Sequence, residues 1–185
     1  MLYEIIHLLV DVIGGLLVGA CLLRAWMQVR RIGGANPIGT FVMSLTDWIV
    51  KPLRRIVPGY AGIDWASIVA AFAITLLAVA IDLGLRLNGL PPLDLWIGLA
   101  AVWLIKWGLY MAQLMLLIAA VLSWVNPFSP FLPIVDALIG PLLTPLRRIL
   151  PSTGRMDFSP LVALLLIQVA LIVVNRLSYQ VIGAA

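Results

Sequence analysis

Three sets of residues in this chain have the types and spacing to do chemistry. Asp11 and Lys106 each interrupt a long apolar run, and Asp82 lies near the end of another. Charge inside a membrane span is costly and marks function by default. An Asp11–Lys106 pair would neutralise both groups, or the two would line an ion path. Asp82 sits close enough to its span's outer end to be solvated. His7, one turn before Asp11, reads as a hydrogen-bonded structural residue and not as a haem ligand. The second set is a doubled phrase: PLRRIVP at Pro52–Pro58 returns as PLRRILP at Pro145–Pro151, 93 positions later. Paired guanidiniums, Arg54 with Arg55 and Arg147 with Arg148, suit phosphate because each planar fork can hold two oxygens. The third set is Gly15 and Gly19, a G-x-x-x-G that permits close helix packing.

Several chemistries lack their residues. One Cys and one His cannot make an intrachain four-ligand zinc site. Phosphate-loop, zinc-protease and nucleophile-elbow signatures do not occur in the sequence. We therefore expect no catalytic residues, no metal and no cofactor: the chain reads as non-enzymatic.

The elements that must position these residues follow from composition. Of the 185 residues, 63% are hydrophobic and 11% charged, and mean hydropathy is +1.13. Soluble domains carry roughly 25% charged residues, so the chain is read as an integral membrane protein. The N-terminus lacks a basic region and an A-x-A site, and it reads as a retained first span. A bilayer core requires roughly 20 apolar residues as helix. Four stretches qualify, at about 3–27, 64–87, 95–124 and 157–182.

The echo extends beyond PLRR. Asn36-Pro37 matches Asn126-Pro127, and IDWASIV matches MDFSPLV, with Asp64 and Asp157 opening the second span of each half. The expected fold is all-α, with four transmembrane helices as two parallel repeats, residues 1–90 and 91–185. Each repeat carries an interfacial or re-entrant segment between its spans, 36–58 and 126–151. In the first segment Thr40, Ser44, Asp47, Lys51, Arg54 and Arg55 form a polar stripe opposite Phe41, Leu45 and Trp48. In the second, Asp136, Gly140, Thr144, Arg147 and Arg148 repeat it more weakly, and Pro133 and Pro141 are expected to break it into two short pieces or a shallow re-entrant turn. Pro52 and Pro145 should kink or restart each helix and hold the arginines at a fixed depth.

Nine of the twelve basic residues fall in the two long loops. The positive-inside rule puts those loops in the cytoplasm and both termini outside. The net charge of +4 is thereby assigned to a membrane surface and not to nucleic acid. Expected partners are anionic lipid headgroups and other membrane proteins, including a second copy of the chain.

The Asn-Pro start, the amphipathic stretch, P-L-R-R-[IV]-[VIL]-P, the D-[LFW]-[AS]-x-[LIV] opening and LSWVNPFSP at Leu122–Pro130 resemble the YggT (YlmG) family over nearly the whole chain. In the first half Trp26–Ala35 stands where a compact S-W-x-N-P would be, which lengthens that link. The resemblance implies a small bacterial inner-membrane protein linked to envelope stress, osmotic tolerance and cell division. Plastid members of the family imply roles in cytochrome maturation and nucleoid distribution. The expected function is thus a membrane scaffold or accessory factor acting through the PLRR segments. A transporter using Lys106 and Asp11, or an assembly factor for membrane cytochromes, are the alternatives.

Overall fold

A computed structural model describes residues 2–87, 92–126, 128–149 and 158–183. They form six helices and no strand: α1 Leu2–Val29, α2 Pro37–Arg54, α3 Trp65–Leu87, α4 Leu93–Val125, α5 Leu132–Ile149 and α6 Ser159–Gly183. Four of them, α1, α3, α4 and α6, are long and apolar enough to cross a membrane. The positions match the four stretches read from hydropathy. Pro127, Pro151 and Asp157, singled out above, lie outside the described residues.

Packing divides the chain into two compact units. The first comprises Met1–Gly108 with Val174–Ala185, the second Leu109–Val173. In the first, α1 packs against both α2 and α3. Small side chains make this close: Ala66, Ala70, Ala71 and Ala78 of α3 are buried, as are Val18 and Cys21 of α1. Ala73 of the same helix is exposed. In the second unit the buried set is Met115, Leu116, Ala119 and Ala120 of α4, Val135, Leu138, Ile139 and Leu143 of α5, and Ala163, Ile167 and Leu171 of α6.

The Asn-Pro pair that precedes α2 has a local cause. Asn36 is its N-cap, with extended backbone and a side-chain oxygen accepting from Gly39 N at 2.8 Å. Pro37 takes the first helical position, where a missing N–H costs nothing and φ is already suitable. The second Asn-Pro behaves differently. Asn126 N donates to Leu122 O at 2.9 Å, closing the end of α4. A turn through Ser129 follows before α5 starts at Leu132. The two links are of similar length, residues 30–36 and 126–131, but Asn36 caps the helix that follows it whereas Asn126 closes the one before it.

Proline does not divide either segment. α5 runs unbroken from Leu132 to Ile149 with Pro141 and Pro145 inside it, so the expected pair of short pieces is not found. α2 likewise continues through Pro52 to Arg54. Both helices are amphipathic, and their prolines fall on the exposed side, where backbone carbonyls can tilt outward without a buried cost. After Pro52 the helix tightens: Arg55 N bonds Pro52 O and Ile56 N bonds Leu53 O, a 3₁₀ turn that ends it.

α2 presents three sectors. Gly39, Val42, Thr46 and Val50 are buried. Phe41, Trp48 and Pro52 are exposed and apolar, with Trp48 63% exposed, and Ile56 just past the helix end is exposed as well. Thr40, Ser44, Lys51 and Arg54 form the exposed polar sector. The sequence-level picture had two faces, because exposure of an apolar row beside a separate buried row cannot be read from periodicity alone. α5 buries Val135, Ile139 and Leu143, the residues 93 positions after Val42, Thr46 and Val50.

Candidate functional site

The first polar cluster lies among the spans. α1 places Tyr3, His7 and Asp11 four residues apart and so on one face. Lys106 of α4 reaches Asp11 Oδ1 at 2.9 Å, and Trp107 Nε1 donates to the same oxygen at 3.1 Å. The expected Asp11–Lys106 pair is therefore present. The Lys106 ammonium also stands 4.5 Å from the Trp103 ring centroid, a cation–π contact strengthened by desolvation. Only 9% of Lys106 is exposed, so carboxylate and ring faces replace most of its hydration.

Asp82 of α3 is not solvated as expected; it is 2% exposed. Tyr3 Oη donates to Asp82 Oδ1 at 2.9 Å and His7 Nδ1 meets the same oxygen at 2.9 Å. Arg86, one turn along α3, brings Nε to 3.1 Å from Oδ2. Because a carboxylate only accepts, His7 is the donor at Nδ1. The first turns of α1 cover a carboxylate that hydropathy alone would leave at the span's end. His7 thus has the structural hydrogen bond that its sequence position suggests.

The glycines of α1 serve this cluster. A Cβ at Gly14 would meet Trp107 Cη2 at 2.9 Å, and one at Gly15 would meet Trp107 Nε1 at 3.2 Å. Gly15 therefore makes room for an indole ring from α4, which brings that indole to Asp11. Gly19 is buried.

The second cluster lies where α1, α2 and α3 meet, and Asp64 is its hub. Asp64 is the residue before α3, and its side chain accepts from Ser67 Oγ at 2.7 Å while its carbonyl accepts from Ser67 N at 3.1 Å. This is capping chemistry, and it accounts for Asp three residues before Ser in IDWAS. The same carboxylate takes an ion pair from Arg54 Nη2 and lies 3.6 Å from Arg24 Nε. Asp64 is 1% exposed and Arg24 6%. Arg24 donates through Nη1 to Thr46 Oγ1 and to Asp47 Oδ1, each at 2.8 Å. Lys51 Nζ reaches the other oxygen of Asp47 at 2.8 Å. The Lys51 hydrogen bond, with Arg24 adding to it, holds the Asp47 carboxyl below its ordinary value of 3.8.

The arginines of the two PLRR phrases thus divide. Arg54 is bound to Asp64, while Arg55 is exposed at the end of α2. On α5, Arg147 Nη2 lies 3.6 Å from Asp136 Oδ1, and Arg148 is exposed. Pro52 and Pro145 are exposed inside their helices. Sequence reasoning gave no separate role to Arg24, one of the nine basic residues counted between the spans of each half. The signal that could have singled it out was its position in ACLLRAWM, a charge still within the first span's helix.

Beside the hub is a cavity of about 310 Å³, lined by Arg24, Gln28, Arg31, Arg54, Asp64 and the backbone around Gly33, with Met27, Val42 and Met43 as apolar wall. Arg31, just past α1, has φ of +55°, a left-handed conformation that favours glycine. In chemical terms the chamber offers several guanidiniums facing one carboxylate at the end of an apolar helix pair.

Comparison with known proteins agrees with the sequence pattern. The family model described as CCB3/YggT matches residues 3–85 and 98–178. A Haemophilus influenzae protein is 37% identical over 147 residues, covering 79% of this chain and 78% of its own. The Escherichia coli (strain K12) protein whose name reads "Uncharacterized protein YggT" is 38% identical over 149 residues, covering 80% and 77%. A Pseudomonas aeruginosa protein is 34% identical over 177 residues, covering 92% and 88%. No solved structure matches. With the family model covering most of the chain and the relatives aligned along most of their own length, the chain belongs to the CCB3/YggT family.

Proposed function

We propose that this chain is a non-enzymatic accessory protein of the bacterial inner membrane. It lays two basic amphipathic helices, α2 and α5, along the cytoplasmic leaflet to organise anionic lipids or hold partner membrane proteins. The observation that carries this is the three-sector surface of α2. One sector packs on its own spans, one exposes Phe41, Trp48 and Pro52, and one exposes Lys51 with Arg54. A helix so divided suits the lipid–water boundary, with apolar side chains among acyl chains and cations among headgroups. Near an anionic leaflet each cation contributes about 1 kcal/mol.

The shared offset of 93 between the buried rows of α2 and α5, and the two stretches matched by the family model, support a duplicated unit. Two parallel repeats place both termini in the periplasm and both PLRR segments inside. Replacing Lys51, Arg55 and Arg148 with Gln tests the reading. Lipid co-extracted with the variant in polymer-bounded discs should lose its enrichment in phosphatidylglycerol while insertion persists. Unchanged lipid composition and unchanged partner recovery would refute it.

A second reading, an ion or small-solute pathway, is favoured by the titratable groups gathered between α1, α3 and α4. It requires flux in reconstituted vesicles that disappears on Lys106→Leu. The pairing of Asp11 with Lys106 and of Asp82 with Tyr3, His7 and Arg86 favours static neutralisation instead.

A further inference from the structure

We infer that the cavity between α1, α2 and α3 is a binding site for a single phosphate-bearing anion, either a lipid phosphomonoester headgroup or a free phosphate. The inference rests on the reading above only for the lipid source, which needs α2 at the lipid–water boundary. A surface stripe attracts many lipids weakly; this chamber would hold one group.

Three guanidiniums, those of Arg24, Arg31 and Arg54, line the chamber against the single carboxylate of Asp64. The lining therefore carries excess positive charge, which a phosphate dianion would offset. Its volume of about 310 Å³ is at the small end of the roughly 300–1,000 Å³ range of ligand sites.

Arg24 provides the built part. It is 6% exposed, its Nη1 is committed to Thr46 and Asp47, and its buried Nε has no hydrogen-bond partner. A donor this buried normally has an acceptor. The nearest one, Asp64 Oδ2 at 3.6 Å, is beyond hydrogen-bond reach and is already shared by Arg54 and Ser67. That Nε has almost no accessible surface, so Arg24 serves the chamber through its charge, as a fixed cation held by Thr46, Asp47 and Asp64.

Arg31 is the second observation. It holds left-handed backbone at φ +55° that glycine would adopt without penalty, although glycines follow at positions 33 and 34. Arg31 N bonds Gln28 O and Ile32 N bonds Met27 O, so this is the left-handed cap that ends α1, and it fixes the backbone of a cation that lines the cavity. Gln28 adds a neutral donor on the same wall. The equivalent positions of the second half carry only part of this chemistry. Arg54 and Asp64 recur 93 positions on as Arg147 and Asp157, but adding 93 to Arg24, Gln28 and Arg31 gives Leu117, Val121 and Trp124, so the full set of polar lining residues belongs to the first half alone.

The test uses the full chain purified in non-ionic detergent. Equilibrium dialysis with labelled inorganic phosphate and native mass spectrometry with dioctanoyl phosphatidic acid read the two sources, with dioctanoyl phosphatidylcholine as the neutral control. Arg31→Gly removes one guanidinium while relieving backbone strain, so it should fold. It should weaken binding by about tenfold or more, the usual effect of losing one charge-assisted hydrogen bond. Arg24→Gln should abolish binding, and Arg55→Gln, outside the chamber, should leave it intact.

One-to-one binding of both probes, sensitive to Arg31→Gly, supports the site. Binding of the lipid alone assigns it to a headgroup, and binding of phosphate alone to a soluble anion. No saturable binding of either probe, or binding indifferent to Arg31→Gly, overturns it. Since Arg55→Gln alters only the leaflet interaction, failure of the chamber and failure of the surface reading give separate results.

Discussion

Lys106 Nζ and Asp11 Oδ1 lie 2.9 Å apart although 95 positions separate them in the chain. The pair joins the first span to the third within one compact unit, and the Trp107 indole closes it from the side. Removing one member leaves a charge among apolar side chains, whereas removing both removes the problem. Lys106→Met should therefore destabilise the chain by about 1–3 kcal/mol. Adding Asp11→Asn should recover much of that loss. Denaturant or thermal unfolding in detergent for the two single variants and the double measures the coupling; additive losses would mean that the two charges do not interact.

The glycines facing Trp107 give a steric prediction. Gly14→Ala places a methyl 2.9 Å from the indole, and one of the two must shift. Overpacking of this kind costs about 1–3 kcal/mol. Gly33→Ala, where nothing lies within 4 Å of the added carbon, should change stability far less. Equal losses at the two positions would contradict the packing described.

Asp64 separates capping from ion pairing. Asparagine is an equally good N-cap, so Asp64→Asn keeps the cap on α3 and loses only the charge shared with Arg24 and Arg54. Leaving buried Arg24 short of a counter-charge should cost about 2–4 kcal/mol. Asp64→Ala should cost about 1 kcal/mol more through the lost cap. Thermal unfolding of both variants checks the order.

Acid should loosen the α1–α2 contact. Asp47 bonds Lys51 and Arg24, and its folded pKa lies below the ordinary 3.8. A carboxylate depressed on folding contributes stability that is complete above its unfolded value. That contribution is lost as pH falls through the lower folded value. Asp47→Asn should flatten this part of the acid unfolding profile; an unchanged profile would exclude Asp47 as a contributor.

How much of this was legible in the sequence depends on how local each feature is. The four apolar spans, the Asp11–Lys106 pair and the amphipathic segments follow from hydropathy and periodicity, which act within a helix or through the rarity of charge in a span. The burial of Asp82 did not follow, because its cover comes from Tyr3 and His7, 79 and 75 residues away. The continuity of α5 did not follow either. Proline propensity describes an isolated helix, and here Pro141 and Pro145 sit on an exposed side whose opposite row is held by Val135, Ile139 and Leu143. Arg24 was overlooked because its partners lie far along the chain, Thr46 and Asp47 on α2 and Asp64 just before α3.

The account turns on α2 and α5 lying at the same lipid–water boundary, facing the cytoplasm. With buried Cys21 replaced by Ala, single thiols at Lys51→Cys and Thr144→Cys can be treated with a membrane-impermeant maleimide. Intact spheroplasts and inverted vesicles present opposite faces. Both thiols should label in inverted vesicles and be protected in spheroplasts; labelling of the two from opposite sides, or of neither from any side, would contradict the account.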